Sequence, residues 1–195
     1  GSWAQAQAVV EGYAAPDILD RVLEASLAVH EGRAAHERDA VNFSRIQYSW
    51  PVLAGLLWSA ASNNGALRVV DVGGSLGTSF RQNRKFLSRI REVSWAIVEQ
   101  PHFVEAGRQH FEDEVLSFHE TVDDAATTRP SIALLAGSLQ YLESPDSMIA
   151  AISRLDVSTI VLERTPMHDG ATNLLTIQHV PRRIYPAAYP AWIFS

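Results

Sequence analysis

Cysteine is absent from the 195 residues. Its absence removes disulfide frameworks, thiolate metal sites and cysteine nucleophiles together, and it agrees with an expected cytoplasmic setting. No apolar run approaches the roughly 20 residues that a membrane-spanning helix requires. The first residues, "GSWAQAQAVVEG", lack the basic start and long apolar core of a signal peptide. Positive charge is also scarce. Sixteen Lys and Arg against 22 Asp and Glu leave a net charge of -6, which argues against a general binder of nucleic-acid backbones. Neither H-E-x-x-H nor G-x-x-x-x-G-K-[ST] occurs, so no metal site and no phosphate loop are expected. What remains is ordinary globular material, 47% hydrophobic and 19% charged, of a length that suits one α/β unit.

Two regimes divide the chain. Residues 1–65 read as an N-terminal helical cap. "PDILDRVLEASLAVHE" spaces Ile18, Val22, Ala25 and Val29 for a helix. A polar link, "GRAAHERDAVNF", follows it. "SRIQYSWPVLAGLLWSAASNNG" predicts a largely buried helix started or interrupted at Pro51 and stopped by Asn63-Asn64-Gly65. From residue 66 to 195, strand and helix patterns alternate, with strands over "LRVVDVG", "SWAIVEQ", "VLSFHE", the beginning of "SIALLAGSLQYL" and "STIVLERTP". Such alternation predicts a doubly wound, mostly parallel sheet with helices on both faces, packed with the cap as one globular unit. The tail, "MHDGATNLLTIQHVPRRIYPAAYPAWIFS", breaks the pattern with three prolines in ten residues, Pro181 to Pro190. It is expected to be ordered but irregular, and closing strands of the sheet are expected to be missing. Such an edge would favour pairing of chains, so a homodimer is an expectation.

The stretch "VVDVGGSLGTS" puts Gly73, Gly74 and Gly77 directly behind the first strand. A dinucleotide-binding turn reads G-x-G-x-x-G, and here the second glycine comes one place early. Asp71 stands two residues before the first glycine. A carboxylate there suits a cationic ligand better than a pyrophosphate, and S-adenosylmethionine carries both a sulfonium and an ammonium. Glu99 ends the second strand 28 residues later, where an acid takes ribose hydroxyls in nucleotide-binding α/β folds. The expected cofactor cradle is Asp71, Gly73, Gly74, Ser75, Leu76 and Gly77, with Glu99 on the ribose and Gln100 and Ser138 beside it. The competing readings are a tight structural turn with a solvated strand end, and a nicotinamide-dependent oxidoreductase.

These residues resemble the class I S-adenosylmethionine-dependent methyltransferases. The chain looks most like a family of uncharacterised bacterial methyltransferases. The blocks that carry the resemblance are "ERDAVNF", "YSWPVLAGLLW", "VDVGGSLGTSFRQNRKFL", "WAIVEQPHFVEAGR", "GSLQYLESP", "ERTP" and "QHVPRRIYPAAYPAWIFS". The resemblance implies the methyltransferase version of the Rossmann-like fold, S-adenosylmethionine as cofactor and a small-molecule or glycan-like acceptor. It implies no particular acceptor.

For the chemistry itself, positioning matters most, with a base only where the acceptor must lose a proton. Catalytic candidates are His119, Tyr141, Arg164 and His168. Gln140, Tyr141 and Tyr185 are candidates for the acceptor side. Arg164 would suit an acidic acceptor, and an ion pair with its neighbourhood is the plainer reading. Arg182 and Arg183 are left open between a ligand clamp and surface cover. "HERD", His36 to Asp39, and Tyr48 to Trp50 stand as a lid or as ordinary surface. A non-catalytic binding or scaffold protein with the same pocket is the alternative to an enzyme.

Overall fold

Three near-continuous apolar runs build the centre of the molecule, as expected for strands covered on both faces. The computed structural model describes residues 1–10, 16–181 and 187–195. Its central strands are β3 (Ala66–Val72), β4 (Glu92–Val98) and β6 (Ile132–Ala136). They are preceded by helices α1 (Trp3–Gln7), α2 (Pro16–His30) and α3 (Trp50–Ser62), and by a small hairpin of β1 (His36–Arg38) and β2 (Val41–Phe43). Helices α4 (Thr78–Leu87), α5 (Pro101–His110), α6 (Val122–Ala125) and α7 (Pro145–Ser153) alternate with the strands, which continue in β5 (Leu116–His119) and β7 (Thr159–Glu163). The five strands lie in the order β5-β4-β3-β6-β7, and every pairing is parallel. This is a doubly wound α/β fold of the Rossmann-like kind.

The pleat divides the strand side chains between two cores. Leu67 and Val69, Trp95 and Ile97, and Ile132 and Leu134 face one core, which α2, α3 and α5 complete with Ile18, Leu56 and Phe103. Val70 and Val72, Ala96 and Val98, and Ala133 and Leu135 face the other, closed by α6 and α7 through Val122, Ala125 and Ile152. Phe103 and Phe118 are almost wholly buried, and each contributes about 1.5–3 kcal/mol on the usual transfer scale. Helix α3 packs directly on β3, β6 and β7, although Trp50 and Trp58 stay exposed on its outer side.

Two segments differ from the sequence reading. The polar link is a two-residue hairpin in which Asp39 and Ala40 both have positive φ, 52° and 63°, the pattern that matches the twist of paired strands. Its polar composition hides buried residues, His36 and Glu37. The tail is regular rather than irregular, forming an antiparallel pair of β8 (Leu174–His179) and β9 (Ala188–Ile193). Pro190 is tolerated there because a two-stranded ribbon is all edge. Stacking of Trp3 on Trp192, with centroids 5.9 Å apart, joins α1 to this ribbon.

Helix α5 is held against β5 at a position that admits no side chain. A Cβ on Gly107 would lie 2.3 Å from the Phe118 ring. Alanine favours an exposed helix interior by about 1 kcal/mol over glycine, whereas overpacking a core costs about 1–3 kcal/mol. Gly107→Ala is therefore expected to destabilise the fold in urea denaturation, and a gain in stability would contradict this packing.

Candidate functional site

A cavity of about 690 Å³ opens at the carboxyl ends of the strands. From β3 the chain runs outward to β4 and β5 on one side, then returns to place β6 and β7 on the other. Ligands of open α/β sheets bind at this kind of switch point. The glycine turn forms the cavity floor. Gly73 has φ +71° and donates its N–H to the Val98 carbonyl at 2.9 Å. A Cβ there would fall 2.4 Å from Cβ of Ser138, while one on Gly74 would fall 2.7 Å from the Asp71 carboxyl carbon. The turn is thus wedged between the β6 loop and a buried acid, and only glycine fits at both places. Ser138 fastens the wedge by donating its hydroxyl to the Val72 carbonyl.

Glu99 stands where β4 ends. One carboxylate oxygen accepts the Ser75 N–H at 3.1 Å and the other accepts the Gln100 N–H at 3.0 Å. Ser75 reaches this position with φ +54°, a strained conformation for a residue with a side chain. Each oxygen retains a further lone pair for a hydroxyl donor in the cavity. Burial pushes the Glu99 carboxyl up, and the two backbone N–H groups oppose that shift.

Asp71 stands elsewhere. It is fully buried behind the turn, on the face of β3 that meets Trp95, and does not line the cavity. Trp95 donates its indole N–H to Oδ2 at 3.0 Å, and Oδ1 has no hydrogen-bond partner. Burial is the main reason its carboxyl is pushed up to about 7; the Glu99 charge adds to the shift, and Trp95 and Arg164 oppose it. The pleat explains the placement: Asp71 shares its face with Val69 rather than with the loop above.

Among the other expected cofactor residues, Gly73, Gly74, Ser75, Gln100 and Ser138 line the cavity, while Leu76 and Gly77 pack beneath the turn. Gly77 caps α4 with φ +99°. On the acceptor side, Gln140, Tyr141 and Arg164 line the cavity. Gln140 donates to the carbonyls of Gly137 and Arg164, and its own side-chain oxygen is unpartnered. His119 and His168 are not in the wall. His119 bonds to the Ser117 hydroxyl, while His168 closes its own loop through Gly170 and Thr172. Tyr185, Arg182 and Arg183 lie outside the described residues. Among the described residues no cluster of His, Asp or Glu is placed to hold a metal ion.

The "HERD" stretch, a lid or ordinary surface by its sequence, reaches the cavity through the hairpin. His36, Arg38 and Asp39 line the cavity. Glu37, on the opposite face of β1, is 2% exposed, accepts the Thr78 hydroxyl and pairs with Arg81 at 3.8 Å. Arg81 in turn donates to the Leu76 carbonyl at 2.7 Å and lies 4.8 Å above the Phe111 ring. No spacing signal links Glu37 to Arg81, which are distant in sequence. His36 is pushed down to about 4, chiefly by burial and then by Arg38, Arg164 and Arg81, so it is neutral near pH 7.

No family model matches the chain, and no curated protein sequence matches it. Among solved structures the chain is similar to the N-terminal domain of EvdMO1 crystallised with SAH and D-fucose. Identity is 15% and the TM-score 0.48, over 93% of this chain and 82% of that one. It is also similar to SAM-bound CalS10, an amino pentose methyltransferase from Micromonospora echinaspora, at 15% identity and TM-score 0.43, covering 80% and 63%. A third is the Burkholderia thailandensis 1,6-didemethyltoxoflavin-N1-methyltransferase, at 15% identity and TM-score 0.40, covering 93% and 92%. These are likenesses of outline, and the chemistry of the cavity rests on this chain's own residues.

Asp71 makes stability depend on pH in a definite direction. The folded state holds its proton more tightly than the unfolded chain, where the ordinary value is 3.8. Its ionisation therefore costs nothing below that value and weakens the fold progressively as pH rises towards about 7. Asp71→Asn removes this term. Relative to wild type, the variant should gain stability progressively from about pH 4 to about pH 7 and keep that gain above it, by a few kcal/mol at the outside. Thermal denaturation of both proteins across that range checks it, and parallel curves would contradict it.

Proposed function

We propose that the protein is an S-adenosylmethionine-dependent methyltransferase acting on a small-molecule or glycan-like acceptor. The observation that carries this reading is the composition of the cavity around the glycine turn. Glu99 and Glu120 line the cavity, Asp71 lies directly behind the turn, and no lysine among the described residues lines the cavity; Arg164, which does line it, is already paired with Glu163. A diphosphate on the turn would face the Glu99 carboxylate at the end of β4. A nucleoside carrying an ammonium and a sulfonium would meet complementary charge. The two remaining acceptor positions on Glu99 fit the paired hydroxyls of a ribose, and the glycine backbone admits the ligand without a Cβ in the way. Val98, Pro101 and Leu142 add apolar wall suited to a purine ring.

When bound, that cofactor supplies an electrophilic methyl group, to which the acceptor's lone pair bonds as the carbon–sulfur bond breaks. The protein's share is then largely positioning, which is worth several kcal/mol when the reacting atoms are held in line. Gln140 and Tyr141 face the acceptor end, with the Tyr141 hydroxyl donating to Gln178 at 2.8 Å. His36, held near 4, is a weak base at neutral pH and serves as a hydrogen-bonding wall. His119 and His168 have no part in this reading because both stand outside the cavity.

Isothermal titration calorimetry with S-adenosylhomocysteine and with NAD tests the assignment. S-adenosylhomocysteine should bind and NAD should bind far more weakly. Glu99→Ala should reduce S-adenosylhomocysteine affinity by about 10- to 100-fold, the usual worth of hydrogen bonds to a charged partner. No heat with S-adenosylhomocysteine, tighter binding of NAD, or indifference to the substitution overturns it.

A further inference from the structure

Two arginines also line the cavity. Arg38 closes β1 and Arg164 follows β7, and both line it together with His36. Arg164 is held rather than loose. Its backbone is left-handed, φ 54°, one Nη donates to the Ala136 carbonyl at 2.7 Å and the other pairs with Glu163 at 2.6 Å. Its guanidinium lies flat on Gly137, where a Cβ would come within 3.1 Å of two of its nitrogens. A strained, doubly anchored arginine with a glycine cleared beneath it is a preorganised group. Arg38 rests over the Phe43 ring, 5.6 Å from its centroid, and makes no ion pair among the described residues. Both charges act on the His36 ring between them. Arg164 is already paired with Glu163, which leaves Arg38 as the cavity guanidinium with charge to spare for an anionic ligand. Tyr141 and Tyr189, which also line the cavity, meet edge to face at 5.1 Å.

We propose that the methyl acceptor is a ring-shaped small molecule bearing a carboxylate, with the carboxylate received by Arg38 and Arg164 and the ring laid against Tyr141 and Tyr189. This rests on the methyltransferase reading, since it assigns the acceptor of that same site. Planar guanidiniums match carboxylates with two parallel hydrogen bonds, which gives direction as well as affinity. A fixed carboxylate would orient the ring so that its remaining nucleophilic groups point towards the turn.

Matched probes test it. In the presence of saturating S-adenosylhomocysteine, 3,4-dihydroxybenzoate is compared with 3,4-dihydroxybenzamide, and D-glucuronate with D-glucose, by calorimetry. In at least one pair the carboxylate member should bind about tenfold or more tighter, as expected for charge-assisted hydrogen bonds. Arg38→Met and Arg164→Met should each abolish most of that preference, while S-adenosylhomocysteine affinity stays within about twofold. Arg164→Lys keeps the charge but loses the fork, and should recover part of the preference. Equal binding within both pairs, no binding of any probe, or a preference that survives both methionine variants overturns the proposal. Loss of the methyltransferase reading has a separate signature: wild type would then fail to bind S-adenosylhomocysteine in the first titration.

Discussion

The carboxylate of Glu37, buried between the Thr78 hydroxyl and the Arg81 guanidinium, is the contact on which the cavity depends. It lies on a three-residue strand far from the sheet in sequence, yet it docks on the first turn of α4, directly after the glycine turn. A carboxylate is favoured there by the exposed N–H groups of the helix start. Burying it costs several kcal/mol unless it is paired, and Arg81 supplies the pair. Burial still pushes the Glu37 carboxyl up, with Thr78 and Arg81 opposing. Because strand side chains alternate, anchoring Glu37 on one face commits His36 and Arg38 to the other, over the cavity. One buried acid thereby closes the roof and adds charge to its wall.

Part of the backbone strain of the chain lies around this same space, while Asn64, Arg129 and Asp156 carry positive φ elsewhere. Asp39, Ala40, Ser75 and Arg164 all carry positive φ, at a cost of about 1–3 kcal/mol each where a side chain is present. Asp39, Ser75 and Arg164 line the cavity, whereas the sheet beneath is regular in register from Ala66↔Glu92 to Val72↔Val98. The division is physical. Two cores, one on each face of a fully parallel sheet, provide the stability that holds strained loops at the strand ends. Ser75 shows what the strain accomplishes: its left-handed turn aims an N–H at Glu99 and fixes that carboxylate in the cavity wall.

The sheet was legible because a parallel strand buried on both faces must be apolar almost throughout, and "LRVVDV", "WAIV" and "IALLA" have no other explanation at that length. Glu99 was legible for a related reason, being an acid at the end of such a run. Asp71 was legible as part of the turn but not in its role, because the pleat decides whether a strand-end residue looks into the cavity or into the core. In the stretch His36 to Phe43, "HERD" was legible as a candidate lid, but the strand pairing and the burial of Glu37 were hidden by its polarity. Local composition predicts exposure, and only the contact with Arg81 makes Glu37 a buried residue. The β8–β9 ribbon was hidden by its prolines, which rule out a central strand but not an isolated ribbon.

The cavity therefore brings together charges of both signs from distant parts of the chain. The glycine turn and Glu99 come from consecutive strand ends, β3 and β4, so their geometry is fixed by the sheet. Arg38 comes from β1, which packs on α4, and Arg164 from the residues after β7, held to the end of β6 through the Ala136 carbonyl. A ligand carrying both signs of charge would meet complementary groups in one orientation and repulsion in the reverse. Polarity of this kind discriminates by penalty as well as by attraction.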